Sequence, residues 1–181
     1  MKRLIIPLNL CVIFLLSACT TQLSYFTQDL QDGYNWTESE LKKIQFFLSE
    51  DIHLVRAKSK EISKIEDGSI TIQSGSSIDQ VIIEAGTPGV VVFTPKANRF
   101  AVSFDDDSSN YLIFGPSPNS KGRYVLMAKK WNAQSGIVTY GGKEYRTSSA
   151  NAFAALMVDV NNAMKVSTTQ SKASGRTIGD N

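Results

Sequence analysis

A mainly β fold is predicted for this chain: a small antiparallel barrel or sandwich with one amphipathic helix near its start. Turn-forming residues recur at short intervals through the chain, and the runs between them are rich in β-branched and aromatic residues. Asp67-Gly68 separates two runs that alternate between apolar and polar residues, which is the pattern of a two-residue hairpin turn. The length of 181 residues suits one domain, which can bury roughly two-thirds of the surface that its unfolded chain exposes.

The helix is predicted over residues 36–51. Thr37 followed by Glu40 matches a capping box, which satisfies backbone N–H groups at a helix start. The apolar residues that share one face of this helix are Leu41, Ile44 and Leu48. Their spacing is that of a single apolar stripe, so we expect the helix to cap or plug a sheet.

Strands are predicted after the helix because the apolar pattern changes to period two. The runs are 51–57, 63–74, 78–95, 99–104, 110–115, 123–128 and 136–147. Turns are expected at 86–89, at the acidic segment 105–109 and at Gly141-Gly142. The unit Ile82–Phe93 resembles the strand–turn–strand of SH3-like small barrels, and this resemblance implies a small barrel.

Residues 150–166 fit two interpretations. Their alanine content favours a helix, whereas Leu156, Val158 and Val160 alternate with other residues as a strand would. We favour the strand because the helix gives no continuous apolar stripe. Residues 167–181 are polar and are predicted to form a C-terminal tail, with a last short strand near 176–178.

Residues 1–18 predict a signal peptide. Lys2 and Arg3 precede an uncharged apolar run that is too short and wrongly flanked for a membrane span. The segment Leu16–Cys19, Leu-Ser-Ala-Cys, resembles the bacterial lipobox. This resemblance implies that Cys19 is diacylated and becomes the N-terminus after cleavage. The alternatives are an ordinary signal peptide with an incidental cysteine and a retained N-terminal anchor.

The resemblance to bacterial lipoproteins implies a permanent anchor, because they carry two or three acyl chains and a single chain binds only reversibly. Thr20 and Thr21 stand where an aspartate would retain a lipoprotein at the inner membrane, so we expect the outer membrane, with either side left open. Residues 19–35 are then a lipidated N-terminus and spacer, and 36–166 are a single mostly β domain. Three apolar residues of the spacer are expected to dock on the domain, the alternative being a position at the lipid headgroups: Tyr25, Phe26 and Leu30.

Charge and cysteine content exclude several classes of function. The formal net charge is +2, and removing Lys2 and Arg3 with the signal leaves it near zero, which does not suit a nucleic-acid-binding protein. Cys11 lies within the signal, so Cys19 is the one cysteine of the mature chain. No disulfide can then form within a monomer.

The residues needed for catalysis are scarce. His53 is the one histidine, and the alternation around it predicts a solvated strand position. No G-x-S-x-G segment is present for a serine nucleophile, and a zinc site would draw on several His or Cys ligands. We therefore predict a protein that is not an enzyme and that has no cofactor and no metal site.

The acidic segment 105–109 is the best match to a metal loop. Asp105, Asp107 and Ser109 fit its first, third and fifth positions, but Asn110 replaces the required glycine and Pro116 the required glutamate. We favour a solvated hairpin tip that keeps strand edges apart. A hydrolase that acts through Asp105 and Asp107 is the least favoured function.

Aromatic and basic side chains supply the candidate ligand-binding surface. They occur in the segments 121–136 and 140–147, and this mixture suits the recognition of glycans, peptides or polyanions. The candidate residues are Tyr124, Trp131, Tyr140, Tyr145 and Arg146. The alternative for the first segment is a strand ending in a solvated turn, with Trp131 folded back on the core.

The predicted function is a membrane-anchored envelope lipoprotein that serves as a non-enzymatic adaptor or accessory subunit of a cell-envelope assembly. Its expected partners are the membrane, through the lipid, and other envelope proteins. The alternative is a glycan- or peptide-binding lipoprotein that uses the aromatic and basic surface.

Overall fold

The computed structural model describes residues 22–57, 64–66, 69–71 and 78–166, with only the backbone described for the two short segments. The predicted signal peptide, Cys19 and the polar tail lie outside these residues. The strands are β1 Ser24–Tyr25, β2 Phe46–Leu48, β3 Ile52–Ala57, β4 Lys64–Glu66, β5 Ser69–Thr71, β6 Ile78–Ile83, β7 Pro88–Lys96, β8 Arg99–Ser103, β9 Tyr111–Ser117, β10 Arg123–Met127, β11 Lys130–Trp131, β12 Ser135–Tyr140, β13 Lys143–Ser148 and β14 Leu156–Val158. The helices are α1 Gln28–Tyr34, α2 Glu38–Leu41 and α3 Val160–Val166, with 3-10 turns at Pro118–Ser120 and Ser149–Phe153.

Two antiparallel sheets form the body of the fold. The larger has seven strands in the order β1-β14-β2-β7-β8-β9-β10, and the smaller has five in the order β11-β12-β13-β3-β6. The prediction of a mainly β, sandwich-like fold is confirmed. Neither sheet closes into a ring, so the SH3-like barrel stays a prediction.

The ends of the larger sheet approach each other. The N–H of Phe26 donates to the C=O of Leu156 at 2.9 Å, and the C=O of Phe26 accepts from the N–H of Tyr124 at 3.0 Å. An isolated bridge also links Val125 to Ala155. These bonds satisfy backbone groups at both end strands of the larger sheet.

The predicted helix over 36–51 is wrong beyond its first turn. The capping box forms, since the Thr37 N–H donates to Glu40 Oε2 at 2.8 Å, but α2 ends at Leu41 and the chain continues as strand β2. The three predicted stripe residues are all buried. Their spacing also suits a helical turn followed by a short strand, and pairing of β2 with β7 and β14 decides between the two.

The segment 22–35 contains β1 and α1, where a spacer was predicted. Thr27 caps α1, accepting from the Leu30 N–H at 3.2 Å, and Asn35 ends it with a φ of 48°. Phe26 is fully buried and Leu30 packs against the core, as expected from their apolar character. Tyr25 is 38% exposed.

The strand predicted over 150–166 is correct for β14. It is wrong for residues 150–153, which lie in the 3-10 turn Ser149–Phe153, and for Val160–Val166, which form α3. Asp159 provides the reason, because its carboxylate accepts from the Asn162 N–H at 3.1 Å and so caps the helix start. Asp159 is the sequence signal for the start of α3, and the apolar pattern alone did not reveal this helix.

An aromatic cluster fills the core beside the larger sheet. Its members are Phe26, Phe46, Phe100 and Tyr124, each no more than 2% exposed. The ring centroid of Phe26 lies 5.2 Å from that of Phe46, 5.6 Å from that of Phe100 and 5.0 Å from that of Tyr124. A residue from the predicted spacer therefore stands at the centre of the core.

The strands predicted on either side of Asp67-Gly68 are confirmed as the pair β4 and β5, with Glu66 opposite Ser69. This ladder has the same register as β3 with β6. Ala57 pairs with Ile78 and Lys64 pairs with Thr71. Lys64 lies seven positions after Ala57, and Thr71 lies seven positions before Ile78, as one continuous antiparallel register requires.

Candidate functional site

The predicted ligand residues do not lie on one surface. Tyr124 is fully buried in the aromatic cluster, and its hydroxyl donates to Gln28 Oε1 at 3.2 Å. Burial raises the pKa of Tyr124 well above its usual range. Tyr124 is therefore a core residue, and its assignment to an exposed surface was wrong.

Trp131 folds back on its own hairpin, which was the alternative considered for it. Its ring occupies the place that a side chain at Gly136, the residue opposite it on β12, would fill. The ring is only partly buried and packs against the core. Gly136 is what allows the indole to lie flat on the sheet.

Arg146 and Tyr145 are neighbours on β13 and therefore point to opposite faces. Arg146 is exposed and lies opposite Val55 and Ile137 on the outer face. Tyr145 is 5% exposed and faces inward. Arg146 is thus separated from the tyrosines with which it was grouped.

Tyr140 and Tyr145 are the pair that the fold does bring together. Their ring centroids lie 6.3 Å apart in a T-shaped contact, and both are largely buried. They line two adjoining depressions of 350 and 270 Å³, which share Val81, Asp105 and Tyr140. We call these depressions together the β6 groove, because strand β6 forms one wall along its length.

The opposite wall is the loop that follows β8. Phe104 lies directly over Gly89, where an added Cβ would come within 2.6 Å of its ring, and contacts Phe114 edge to face at 5.9 Å. Ser103 is buried and its hydroxyl donates to the C=O groups of Asp105 and Asn110 at 3.0 and 2.9 Å. These contacts fix the position of the wall.

Asp105 is oriented into the β6 groove by three donors. Its Oδ1 accepts from the Asp107 N–H at 3.1 Å, and its Oδ2 accepts from Asn110 Nδ2 at 3.1 Å and from the Tyr140 hydroxyl at 3.3 Å. These hydrogen bonds, led by that from Asp107, hold the pKa of Asp105 below its usual range. Burial and the Asp105 charge raise the pKa of Tyr140 to about 12. At neutral pH Asp105 is therefore ionised and Tyr140 is a neutral donor.

The acidic segment forms turns within itself. Asp107 Oδ1 accepts from the Ser109 N–H at 2.8 Å, and Asp107 is exposed. In the part of the chain that the structure describes, no group of three or more His, Cys, Asp or Glu residues is arranged to hold a metal ion.

Asp79 is a groove residue that the sequence analysis missed. Its Oδ2 accepts from Arg56 Nη2 at 2.8 Å and from the Tyr145 hydroxyl at 3.2 Å, and the Arg56 guanidinium lies 5.6 Å from the Tyr145 ring centroid. The hydrogen bond to Asp79 raises the pKa of Arg56 above its ordinary value. The available signal was a lone acid at an inward-facing position of an apolar strand, opposite an arginine.

The outer side of β6 is unusually apolar. Ile78 is 61% and Ile82 51% exposed, and Val55 on the neighbouring strand β3 is 39% exposed. Strand β6 ends its sheet, and no strand among the described residues lies beside its outer edge. His53 shares this outer face and is exposed, as predicted, between the buried Ile52 and Leu54.

Comparison of the chain with known protein families, with curated proteins and with solved structures found no match. Within the described ranges, no helix has the length and apolar character that crossing a bilayer requires.

Proposed function

We propose that this chain is a lipoprotein of the bacterial envelope, anchored through Cys19, that acts as a non-enzymatic adaptor or accessory subunit of an envelope assembly. The resemblance of Leu16–Cys19 to a lipobox supports the anchor, and Thr20 and Thr21 support the outer membrane. The observation that carries the adaptor function is the exposed apolar surface of β6 and β3. Val55 lies opposite Gln80, between Ile78 and Ile82, so these three exposed apolar residues are grouped on one face, and exposed apolar patches mark interaction surfaces.

The short distance between anchor and core supports a membrane-associated partner. Phe26 is fully buried and lies seven positions after Cys19 in the sequence (26 − 19). An extended chain covers at most about 3.6 Å per residue, so the core lies within about 25 Å of an acylated Cys19. A domain held this close meets partners that are themselves in or at the membrane.

The ionisable groups of the β6 groove support a binding rather than a catalytic role. A general acid or base works best with a pKa near the operating pH. Asp105 has a lowered pKa and Tyr140 a raised one, so both are displaced away from neutrality. Asp79 is held by Arg56 and Tyr145.

Intact mass spectrometry tests the anchor. The membrane-extracted protein is expected to begin at Cys19 and to carry acyl chains, which a Cys19→Ser variant lacks. Cys11→Ser is the matched control and is expected to leave the mature mass unchanged, because Cys11 is removed with the signal. A wild-type mass without lipid, or a retained N-terminus, would refute the proposed anchor.

Co-purification tests the adaptor function. After extraction in mild detergent, wild-type protein is expected to retain a defined set of membrane proteins, and Ile82→Lys on the outer face of β6 is expected to lose them. Lys130 lies on β11, at the far end of the smaller sheet, and Lys130→Glu is the control that should retain them. Equal recovery with all three proteins would contradict a role for the β6 surface.

A glycan- or peptide-binding lipoprotein is the second candidate. The β6 groove favours it, since a shaped depression with a few fixed polar groups is the usual form of a ligand site. The site then differs from the surface predicted from sequence, because Tyr124 and Arg146 lie elsewhere.

A further inference from the structure

We propose that the β6 groove receives an extended segment of a partner protein, which adds a strand beside β6 and places a Lys or Arg side chain in the larger depression. This inference rests on the adaptor function proposed above and names the chemistry of the partner. Strand addition supplies affinity through main-chain hydrogen bonds and specificity through pockets for alternate side chains.

Strand β6 has an open edge in the part of the chain that the structure describes. An edge strand with apolar residues is a template for pairing, and natural proteins normally shield it with charge, proline, a bulge or a covering element. Strand β6 has no proline and carries two isoleucines that are at least half exposed. Its one charged residue, Asp79, is paired with Arg56 of the neighbouring strand β3. Among the described residues it has a strand on one side only. Such an edge fits the addition of a further strand.

The larger depression opens along β6, and its shape suits a single side chain of the added strand. Its apolar lining comes from the side chains of Val81, Ile83 and Phe104, together with Tyr140. A volume of 350 Å³ accommodates one long side chain. Phe104 is held over Gly89 and against Phe114, so this apolar wall is in place before a ligand arrives.

The charge of the larger depression indicates which side chain it would accept. Glu84 and Asp105 are the only charged residues that line the larger depression in the structure as described, and both are acidic. The smaller depression is lined by residues of both charges, since its lining includes Lys143 as well as Asp79. A lysine or arginine suits the larger depression, because its methylenes contact the apolar wall while its charge reaches the carboxylates.

The tyrosines favour a peptide over a glycan. Stacking of a sugar ring needs an exposed aromatic face, but Tyr140 and Tyr145 are only 7% and 5% exposed. Their hydroxyls are already directed at Asp105 and Asp79. They orient the carboxylates and offer little surface of their own.

A direct test measures peptide binding to the full chain in mild detergent. The probe is a short capped peptide of alternating lysine and valine, labelled for fluorescence anisotropy. Two control peptides replace lysine by glutamate or carry N-methyl groups on alternate residues. We expect each control to bind about tenfold more weakly, through lost charge attraction in one case and lost main-chain hydrogen bonds in the other.

Variants locate the site. Glu84→Gln and Asp105→Asn are each expected to weaken binding of the lysine-valine peptide about two- to fivefold, the usual range for an exposed charge pair. Asp29→Asn is the matched control, because Asp29 is exposed on α1 and lies outside the groove. Its affinity is expected to equal that of wild type.

Hydrogen exchange identifies the binding mode. The backbone amides of Ile78–Ile83 are expected to gain protection when the peptide is bound. Strand addition would be wrong if the N-methylated peptide bound as tightly as the unmodified one. It would also be wrong if the peptide protected only the amides of other strands from exchange. Protection of β6 that rises with protein concentration without peptide would assign the edge to a second copy of the chain, and binding only to envelope glycan would assign the groove to sugar.

The two proposals fail separately. If defined membrane proteins co-purify while the peptide does not bind, the adaptor function stands and the groove assignment is wrong. If the peptide binds and protects β6 while Cys19 carries no lipid, the groove assignment stands and the lipid-anchored adaptor is wrong.

Discussion

The aromatic cluster beside the larger sheet and the outer face of strands β3 and β6 differ in how completely their apolar residues are covered. In the larger sheet the aromatic cluster is closed off on all sides, and backbone bonds from Phe26 satisfy both end strands. In the smaller sheet the inner face is buried, but Ile78, Ile82 and Val55 remain exposed on the outer face. Burial that is complete contributes stability, whereas apolar surface left open costs solubility without stabilising the fold. The aromatic cluster therefore contributes stability, and the outer face of the smaller sheet is the surface for which we propose a role in recognition.

The largest expected effect is that of Phe26→Ala, which removes the centre of the aromatic cluster. A buried Phe→Ala change costs about 3–5 kcal/mol of unfolding free energy, through lost burial and the cavity left behind. Urea unfolding of the full chain in detergent measures it, with Trp36 as the reporter, because its ring lies 5.8 Å from that of Phe26. A Trp131→Phe background leaves Trp36 as the single tryptophan.

Tyr25→Ala, at the residue immediately before Phe26, is the control for Phe26→Ala. Tyr25 is 38% exposed and stacks under the Arg123 guanidinium at 3.8 Å from its centroid. We expect a loss of no more than about 1 kcal/mol, the size of an exposed cation–π contact. Equal losses for the two variants would mean that residues 22–27 do not belong to the core.

Asn151→Ala is expected to have the next largest effect, and it acts on the smaller sheet. The Asn151 amide is buried, accepts from the Thr147 hydroxyl at 2.7 Å and donates to the C=O of Asp51 at 2.7 Å. Removing it leaves the buried Thr147 hydroxyl and the Asp51 carbonyl without this partner, at a cost of about 1–3 kcal/mol. Thermal unfolding followed through Trp131 measures the loss. A Tm equal to that of wild type would show that this network does not stabilise the smaller sheet.

Gly89→Ala affects both regions, because Gly89 lies in β7 of the larger sheet while Phe104, which covers it, forms a wall of the β6 groove. The new methyl would displace Phe104 at a cost of about 1–3 kcal/mol. It should also weaken binding of the lysine-valine peptide. Unchanged stability together with unchanged peptide affinity would show that Phe104 is not fixed in place.

Gly33→Ala is the control for Gly89→Ala, because it adds the same methyl group at a position where no atom is close. Gly33 lies in α1 and has no neighbouring atom within 4 Å of an added Cβ. Alanine loses less backbone entropy in a helix, so the variant is expected to be more stable by about 0.5–1 kcal/mol. Opposite signs for the two glycine variants, measured by the same urea titration, are the expected result.

The strands were predictable because each one carries its own pattern. Alternation predicted the burial of Ile52 and Leu54 and the exposure of His53, and Asp67-Gly68 predicted the pairing of β4 with β5. Glycine turns were equally local: Gly141 and Gly142 have φ values of 54° and 71°, which glycine adopts without steric cost.

The errors occurred where one pattern suited two structures or where the contact partner was distant. The stripe through Leu48 fitted a helix, and only pairing with β7 and β14 makes that segment a strand. Docking of Phe26 on the domain was predicted, but its place at the centre of the core was not, because its partners Phe100 and Tyr124 are far along the chain. The β6 groove could not be predicted for the same reason, since the fold alone brings β6 to the loop that contains Asp105.

The smallest expected effect belongs to Ile82→Thr, and it tests the comparison between the two regions most directly. Ile82 and Ile83 are adjacent on β6, yet one is 51% and the other 5% exposed. Threonine retains the β-branched shape, so Ile82→Thr should change the unfolding free energy by no more than about 0.5 kcal/mol. Ile83→Thr buries a hydroxyl and loses apolar contact, and should cost at least about 1–3 kcal/mol. If Ile82→Thr left stability intact but reduced recovery of membrane partners, then the outer face of β6 would serve binding alone. A large loss of stability from Ile82→Thr would instead place Ile82 in the folded core and remove it from the exposed apolar surface of β6 and β3 for which we propose the adaptor function.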